Sequence, residues 1–141
     1  MAMKAKVETI GLEELQKIAA DFGLALKGGE RVAMIGDLGA GKTTFVRAMI
    51  QALKPGQRVQ SPTFTVLQEY NIDGAVPMIV HIDAYRFKTG AEIAALELEA
   101  YPEGTVVVIE WPEKLEGAFE FTHEIRIDHA GEGRDIELIE L

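Results

Sequence analysis

Between an apolar run, Arg31-Val32-Ala33-Met34-Ile35, and an amphipathic stretch over residues 42–53 stands Gly36-Asp37-Leu38-Gly39-Ala40-Gly41-Lys42-Thr43. Gly36, Gly39 and Gly41 permit backbone angles that side chains forbid, so consecutive N–H groups can turn toward one anion. The helix expected to begin at Lys42 adds its positive end to the same point. Lys42 brings a charge that reaches β- and γ-phosphates, the Thr43 hydroxyl is placed to ligate Mg²⁺, and Thr44 helps to satisfy the helix start. The segment therefore reads as a strand–loop–helix cradle for a nucleoside triphosphate. It also restricts the fold, because a P-loop belongs to an α/β domain.

The rest of the chain fits that restriction. Leu12, Leu15, Ile18, Ala19, Phe22 and Leu26 recur at helical spacing, predicting a helix over residues 11–26 that Lys27-Gly28-Gly29 ends. Phe45, Val46, Met49, Ile50 and Leu53 form the inner side of the helix over residues 42–53. Further strands are expected over residues 31–35, 65–70, 78–83, 105–110, 120–128 and 135–141, with a helix near 91–98. Alternating strands and helices imply a mostly parallel central sheet flanked by helices. Only Ala130-Gly131-Glu132-Gly133 separates the last two strands, room for a hairpin but not for a parallel crossover, so the C-terminal edge is expected to be antiparallel. With 141 residues, 48% of them hydrophobic, and no linker or repeat, residues 1–141 read as a single P-loop NTPase-like domain.

Composition narrows the function. The absence of cysteine excludes disulfides, zinc knuckles and thiol catalysis. Residues 1–8 lack the apolar run of a signal peptide, and no stretch approaches the roughly 20 apolar residues of a membrane span, so a cytoplasmic protein without a membrane association is expected. The net charge of −9 is uneven: residues 1–70 hold 9 Lys/Arg against 7 Asp/Glu, residues 71–141 hold 5 against 16. An acidic half repels a phosphate backbone, so any nucleic-acid role is expected to run through partners.

Phosphoryl chemistry needs a carboxylate near the metal and a group that orients or deprotonates water, and parallel sheets present such groups at strand C-terminal ends. Met78-Ile79-Val80-His81-Ile82 runs into Asp83, and Val106-Val107-Val108-Ile109 runs into Glu110. Either acid could ligate the metal. His81 reads first as a packed or hydrogen-bonded strand residue, and Arg86 as either an internal arginine finger or a loop anchor. In Ser61-Pro62-Thr63-Phe64, Thr63 is the candidate sensor of the γ-phosphate or metal.

Taken with the glycine loop through Thr44, the segments Ser61-Pro62-Thr63-Phe64, His81-Ile82-Asp83-Ala84-Tyr85-Arg86 and Ile109-Glu110-Trp111-Pro112-Glu113 resemble the TsaE (YjeE) family, bacterial ATPases needed to make threonylcarbamoyladenosine in tRNA. The resemblance spans nearly the whole chain and preserves the order and approximate spacing of four motifs. It implies ATP and Mg²⁺ as ligands, TsaD and TsaB as partners that carry out the threonylcarbamoyl transfer, and contact with tRNA only through them. ATP hydrolysis would then reset or regulate the partner complex. By the same resemblance Thr43 and Glu110 ligate Mg²⁺, Asp83 is the water-orienting or basic acid, Trp111 positions the site or packs on a partner, and Arg134 lies over the nucleotide. The catalytic pair is thus Lys42 and Asp83.

Two other classes use similar loops. A small-molecule kinase would need an arginine-rich lid, and only six arginines are scattered here. A guanine-nucleotide switch would carry an Asn-Lys-x-Asp motif, which the sequence lacks.

Overall fold

The computed structural model describes residues 4–37 and 39–141. Seven strands form one sheet: β1 (Lys4–Ile10), β2 (Arg31–Ile35), β3 (Leu67–Asn71), β4 (Met78–Asp83), β5 (Val106–Glu110), β6 (His123–Ala130) and β7 (Gly133–Glu140). Their spatial order is β1-β7-β6-β2-β5-β4-β3. β6, β2, β5 and β4 run parallel in the centre. Antiparallel pairs close both sides, β6–β7–β1 on one and β4–β3 on the other.

Burial explains which strand lies where. All five residues of β5 are buried, as a strand covered on both faces requires, whereas β6 alternates buried Ile125 and Ile127 with exposed Arg126 and Asp128. Two α-helices, α1 (Leu12–Ala25) and α2 (Lys42–Leu53), cover one face. There Leu15, Ala19, Phe45, Val46, Met49 and Ile50 meet Val32, Met34, Ile79, Val106, Val108 and Ile125. On the other face Val80, Ile82, Val107 and Ile109 are covered by Ile93, Leu96, Leu115, Phe119 and Phe121, which come from 3₁₀ turns and loops. No helix among the described residues is long and apolar enough to cross a membrane.

The expected parallel centre and antiparallel C-terminal hairpin are present, with differences of detail, among them that the strands expected over residues 120–128 and 135–141 span His123–Ala130 and Gly133–Glu140. The hairpin is not outermost, because β1 pairs along β7 and takes the edge itself. The expected helix near residues 91–98 is a 3₁₀ segment, Gly90–Leu96, opened by a Thr89–Glu92 capping box. It is too short to repay α-helix nucleation, and Gly90 lies hard against the Leu115 carbonyl, where no side chain would fit. The strand expected from residue 65 starts at Leu67, since the Val66 N–H bonds back to the Pro62 carbonyl (2.7 Å) and Val66 takes φ 69°. Beyond β3, burial and the Glu69 carboxylate push the Tyr101 phenol up to about 12, so it remains a neutral donor to that acid at ordinary pH.

The helical layer makes its closest approach at Gly23. A Cβ there would stand 2.6 Å from the Met49 carbonyl oxygen, a backbone atom that cannot yield without separating α1 from α2. Gly23→Ala gains about 1 kcal/mol of helix propensity, but overpacking costs about 1–3 kcal/mol. The contact is with backbone, so a net loss of about 1–2 kcal/mol is expected. Urea unfolding checks it: the midpoint should fall at unchanged slope, and an equal or higher midpoint would show slack between the helices.

Candidate functional site

The three strands that matter most end together. β2, β4 and β5 are parallel neighbours, and the register sets Met34, Glu110 and Asp83 side by side in one row. Paired residues share a face, and Met34 packs in the core beneath α1 and α2, so both carboxylates lie on the α2 side of the sheet. Each is almost fully buried, Asp83 at 7% and Glu110 at 6% exposure, a costly location for two neighbouring acids unless cations or hydrogen bonds meet them.

The glycine loop leaves the end of β2 and enters α2 directly above this row. Gly41 is the N-cap at φ 114°, an angle that glycine alone takes freely, and a Cβ there would also crowd Leu15 at 3.1 Å. Gly36 runs against the Ile127 carbonyl too closely to admit a side chain. No side chain caps α2, so the N–H groups of its first turn keep their capacity for an anion. From behind, Arg134 braces the loop: Nε donates to the Ala40 carbonyl (2.8 Å) and Nη2 to that of Gly39 (3.3 Å). Asp37 is exposed and its carbonyl accepts from the Ala40 N–H (3.1 Å). Leu38 lies outside the described residues.

Lys42 is buried. Its Nζ donates to the Gly36 carbonyl (2.7 Å), lies 4.4 Å from the centre of the Trp111 ring and stands 3.9 Å from Glu110 Oε1. Trp111 can face Lys42 because its backbone is left-handed, φ 59°, an arrangement unusual outside glycine. The Tyr85 ring packs on Trp111 with centroids 5.1 Å apart. The second oxygen of Glu110, Oε2, lies 2.7 Å from Nε2 of the fully buried His81. Asp83 Oδ1 accepts from the Tyr85 N–H (2.9 Å), and its own N–H donates to the Val66 carbonyl (2.8 Å).

These groups surround one cavity of about 400 Å³. Gly39, Gly41, Lys42, Thr43 and Thr44 line it from the loop and helix. Asp83, Tyr85, Glu110 and Trp111 line it from the strand ends, and Ser61 and Thr63 close a third side with their hydroxyls 2.7 Å apart. No arginine lines it among the described residues. Arg86 is exposed and lies 5.9 Å from the Phe64 ring, while Arg134 bonds to the carbonyls of Ala40 and Gly39 without lining the cavity. Of the residues singled out from the sequence, Gly39, Gly41, Lys42, Thr43, Thr44, Thr63, Asp83, Glu110 and Trp111 line this one space, whereas Gly36, Asp37, Ala40, His81, Arg86 and Arg134 do not line it. Sequence reasoning did not find the link from His81 to Glu110 or the seat of Trp111 on Lys42, for both depend on register across strands.

Comparison with known proteins identifies the family. The family described as threonylcarbamoyl adenosine biosynthesis protein TsaE matches residues 10–136. The chain is 41% identical over 110 residues to the tRNA threonylcarbamoyladenosine biosynthesis protein TsaE of Haemophilus influenzae, spanning 77% of this chain and 68% of that one. It is 38% identical over 111 residues to the protein of the same name from Bacillus subtilis, spanning 79% and 68%. A crystal structure of Bacillus subtilis YdiB superposes with a TM-score of 0.78 at 31% identity, covering 99% of this chain and 87% of that one. A family match over residues 10–136, relatives 41% and 38% identical over more than two thirds of the chain, and a shared fold establish that this chain belongs to the TsaE family.

Proposed function

We infer that the protein is a Mg²⁺-dependent ATPase that supports threonylcarbamoyladenosine formation in tRNA together with TsaD and TsaB. The observation that carries this reading is the convergence of Lys42, Asp83 and Glu110 with the glycine loop around one cavity. The donor set suits the metal. No three His, Asp or Glu side chains form a cage among the described residues, and Mg²⁺ in nucleotide sites is held by one or two carboxylates, a hydroxyl and the phosphates themselves. Thr43 and Glu110 would hold it, and Mg²⁺ bound there neutralises charge on the phosphates.

The chain's own groups do the rest. Backbone N–H groups from Gly36 to Thr44 hold the phosphates, and Lys42 exchanges the Gly36 carbonyl for a phosphate oxygen. Asp83, anchored by the Tyr85 N–H, orients the attacking water and takes its proton. Arg134 contributes through the loop that it braces. Water is the acceptor in this reading, and among the described residues no arginine lines the cavity.

Phe64 and Tyr85, 83% and 54% exposed beside the cavity, offer the aromatic surface that a protein partner buries well. The acidic second half disfavours direct contact with tRNA. The test is to mix the purified protein with TsaB and TsaD and measure complex formation and nucleotide hydrolysis. ATP turnover that rises when both partners are present, with ATP preferred over GTP, is expected. Preference for GTP would overturn the base assignment, and no turnover under any condition would overturn the enzymatic reading.

A further inference from the structure

Among the described residues, His81 is the one buried polar or charged side chain to which the proposed chemistry assigns no task. It occupies the middle of β4, paired with Val108 of β5, and is fully buried among apolar neighbours. An aliphatic side chain would be the ordinary occupant, since Ile79, Val80 and Ile82 are all buried on the same strand. The imidazole also carries a penalty, for Nδ1 is a buried polar atom with no hydrogen-bond partner among the described residues. Such an unmet atom costs stability that leucine would not.

What the ring gains is a single bond, 2.7 Å from Nε2 to Glu110 Oε2. That bond holds one carboxylate oxygen down in the core. The other, Oε1, is directed toward Lys42 and the cavity. A carboxylate free to turn about its last bond would divide its time between orientations, whereas this one is fixed before any ligand arrives. Neighbours that hold metal-binding carboxylates in this way strongly affect metal affinity.

We propose that His81 is a positioning residue which fixes the Glu110 carboxylate so that Oε1 faces the metal of the nucleotide complex. The inference rests on the reading of Glu110 as a Mg²⁺ ligand. His81 touches neither nucleotide nor metal, and its effect passes wholly through Glu110.

Two variants separate positioning from packing. His81→Leu fills the strand position but cannot donate, and His81→Gln places an amide N–H near the location of Nε2. Metal affinity is read directly as Mn²⁺ bound to the protein–ADP complex, from loss of the free-ion electron paramagnetic resonance signal. Metal-free binding of a fluorescent ADP and thermal unfolding are followed in parallel. His81→Leu is expected to melt no lower than the parent and to bind metal-free ADP equally, while its Mn²⁺ affinity falls about 10–100-fold. His81→Gln should recover Mn²⁺ affinity to within a few-fold of the parent. Unchanged Mn²⁺ affinity in folded His81→Leu would overturn the proposal, as would equal losses in both variants or a loss of metal-free ADP binding that matches the metal loss. Should His81→Leu fail to fold, folded His81→Gln with near-parental Mn²⁺ affinity sustains the proposal and a full loss overturns it. A parent protein that binds ADP but no Mn²⁺ would instead remove the Glu110 assignment beneath it.

Discussion

Lys42→Ala is expected to leave a folded protein whose ATP turnover is lower by about 100–1000-fold, the effect of deleting one charge-stabilising group from a transition state. The size follows from where the ammonium sits. At 6% exposure it acts in surroundings far less polarisable than water, so each ångström of approach to phosphate counts for more than at a surface. Its present partners are exchangeable: a neutral carbonyl at 2.7 Å, a ring face at 4.4 Å and a carboxylate at 3.9 Å, too far for a tight pair. The fold loses little. One hydrogen bond disappears, worth about 1 kcal/mol, and the removal of a buried charge offsets part of that. Glu110 keeps its bond to His81. Single-turnover hydrolysis beside a thermal melt checks both halves, and the emission of Trp111, the sole tryptophan, should shift once the cation on its face is gone. Undiminished turnover in the folded variant would remove Lys42 from the site.

How legible all this was in the sequence varies with the range of the forces involved. The strand end at Ile35, the glycine turn at Gly41 and the helix from Lys42 could be read outright because their signals are local, an apolar run, closely spaced glycines and an amphipathic stretch. The runs into Asp83 and Glu110 were equally plain, since four apolar residues in a row before Glu110, and four of the five before Asp83, describe a strand buried on both faces. Their being neighbours was not, for it depends on the β4–β5 register, and that is decided by the packing of Val107 and Ile109 with Val80 and Ile82 beneath the 3₁₀ turns. The same register brings His81 under Glu110. β1 was overlooked although Ala5 and Val7 alternate with Lys6 and Glu8; a charged edge strand looks like a solvated terminus until β7 is there to pair with it. Arg134 stood out only by resemblance, and the hairpin alone explains why it reaches the loop: the pairing of His129 with Arg134 carries it to the end of the sheet where Gly39 and Ala40 turn.

The two acids should separate when each loses only its charge. Glu110→Gln keeps the shape and an oxygen, yet it removes the charge that attracts a divalent ion, and its amide replaces one of the two oxygens now shared between His81 and the cavity. Mg²⁺ required for half-maximal turnover is therefore expected to rise about 10–100-fold, with metal-free nucleotide binding little altered. Asp83→Asn keeps an oxygen for the Tyr85 N–H but cannot take a proton, so its kcat should fall about 100–10,000-fold at an unchanged Mg²⁺ midpoint. The contrast rests on a difference in surroundings. Glu110 lies beside Lys42 and His81, which fix its direction, whereas Asp83 accepts from the backbone N–H of Tyr85 and lines the same cavity. Titrating Mg²⁺ at saturating ATP for each variant gives both numbers. A reversed pattern would exchange the two roles, and an equal loss of midpoint and rate in both would mean that the carboxylates act as one metal-binding pair, leaving the water without a base on this chain.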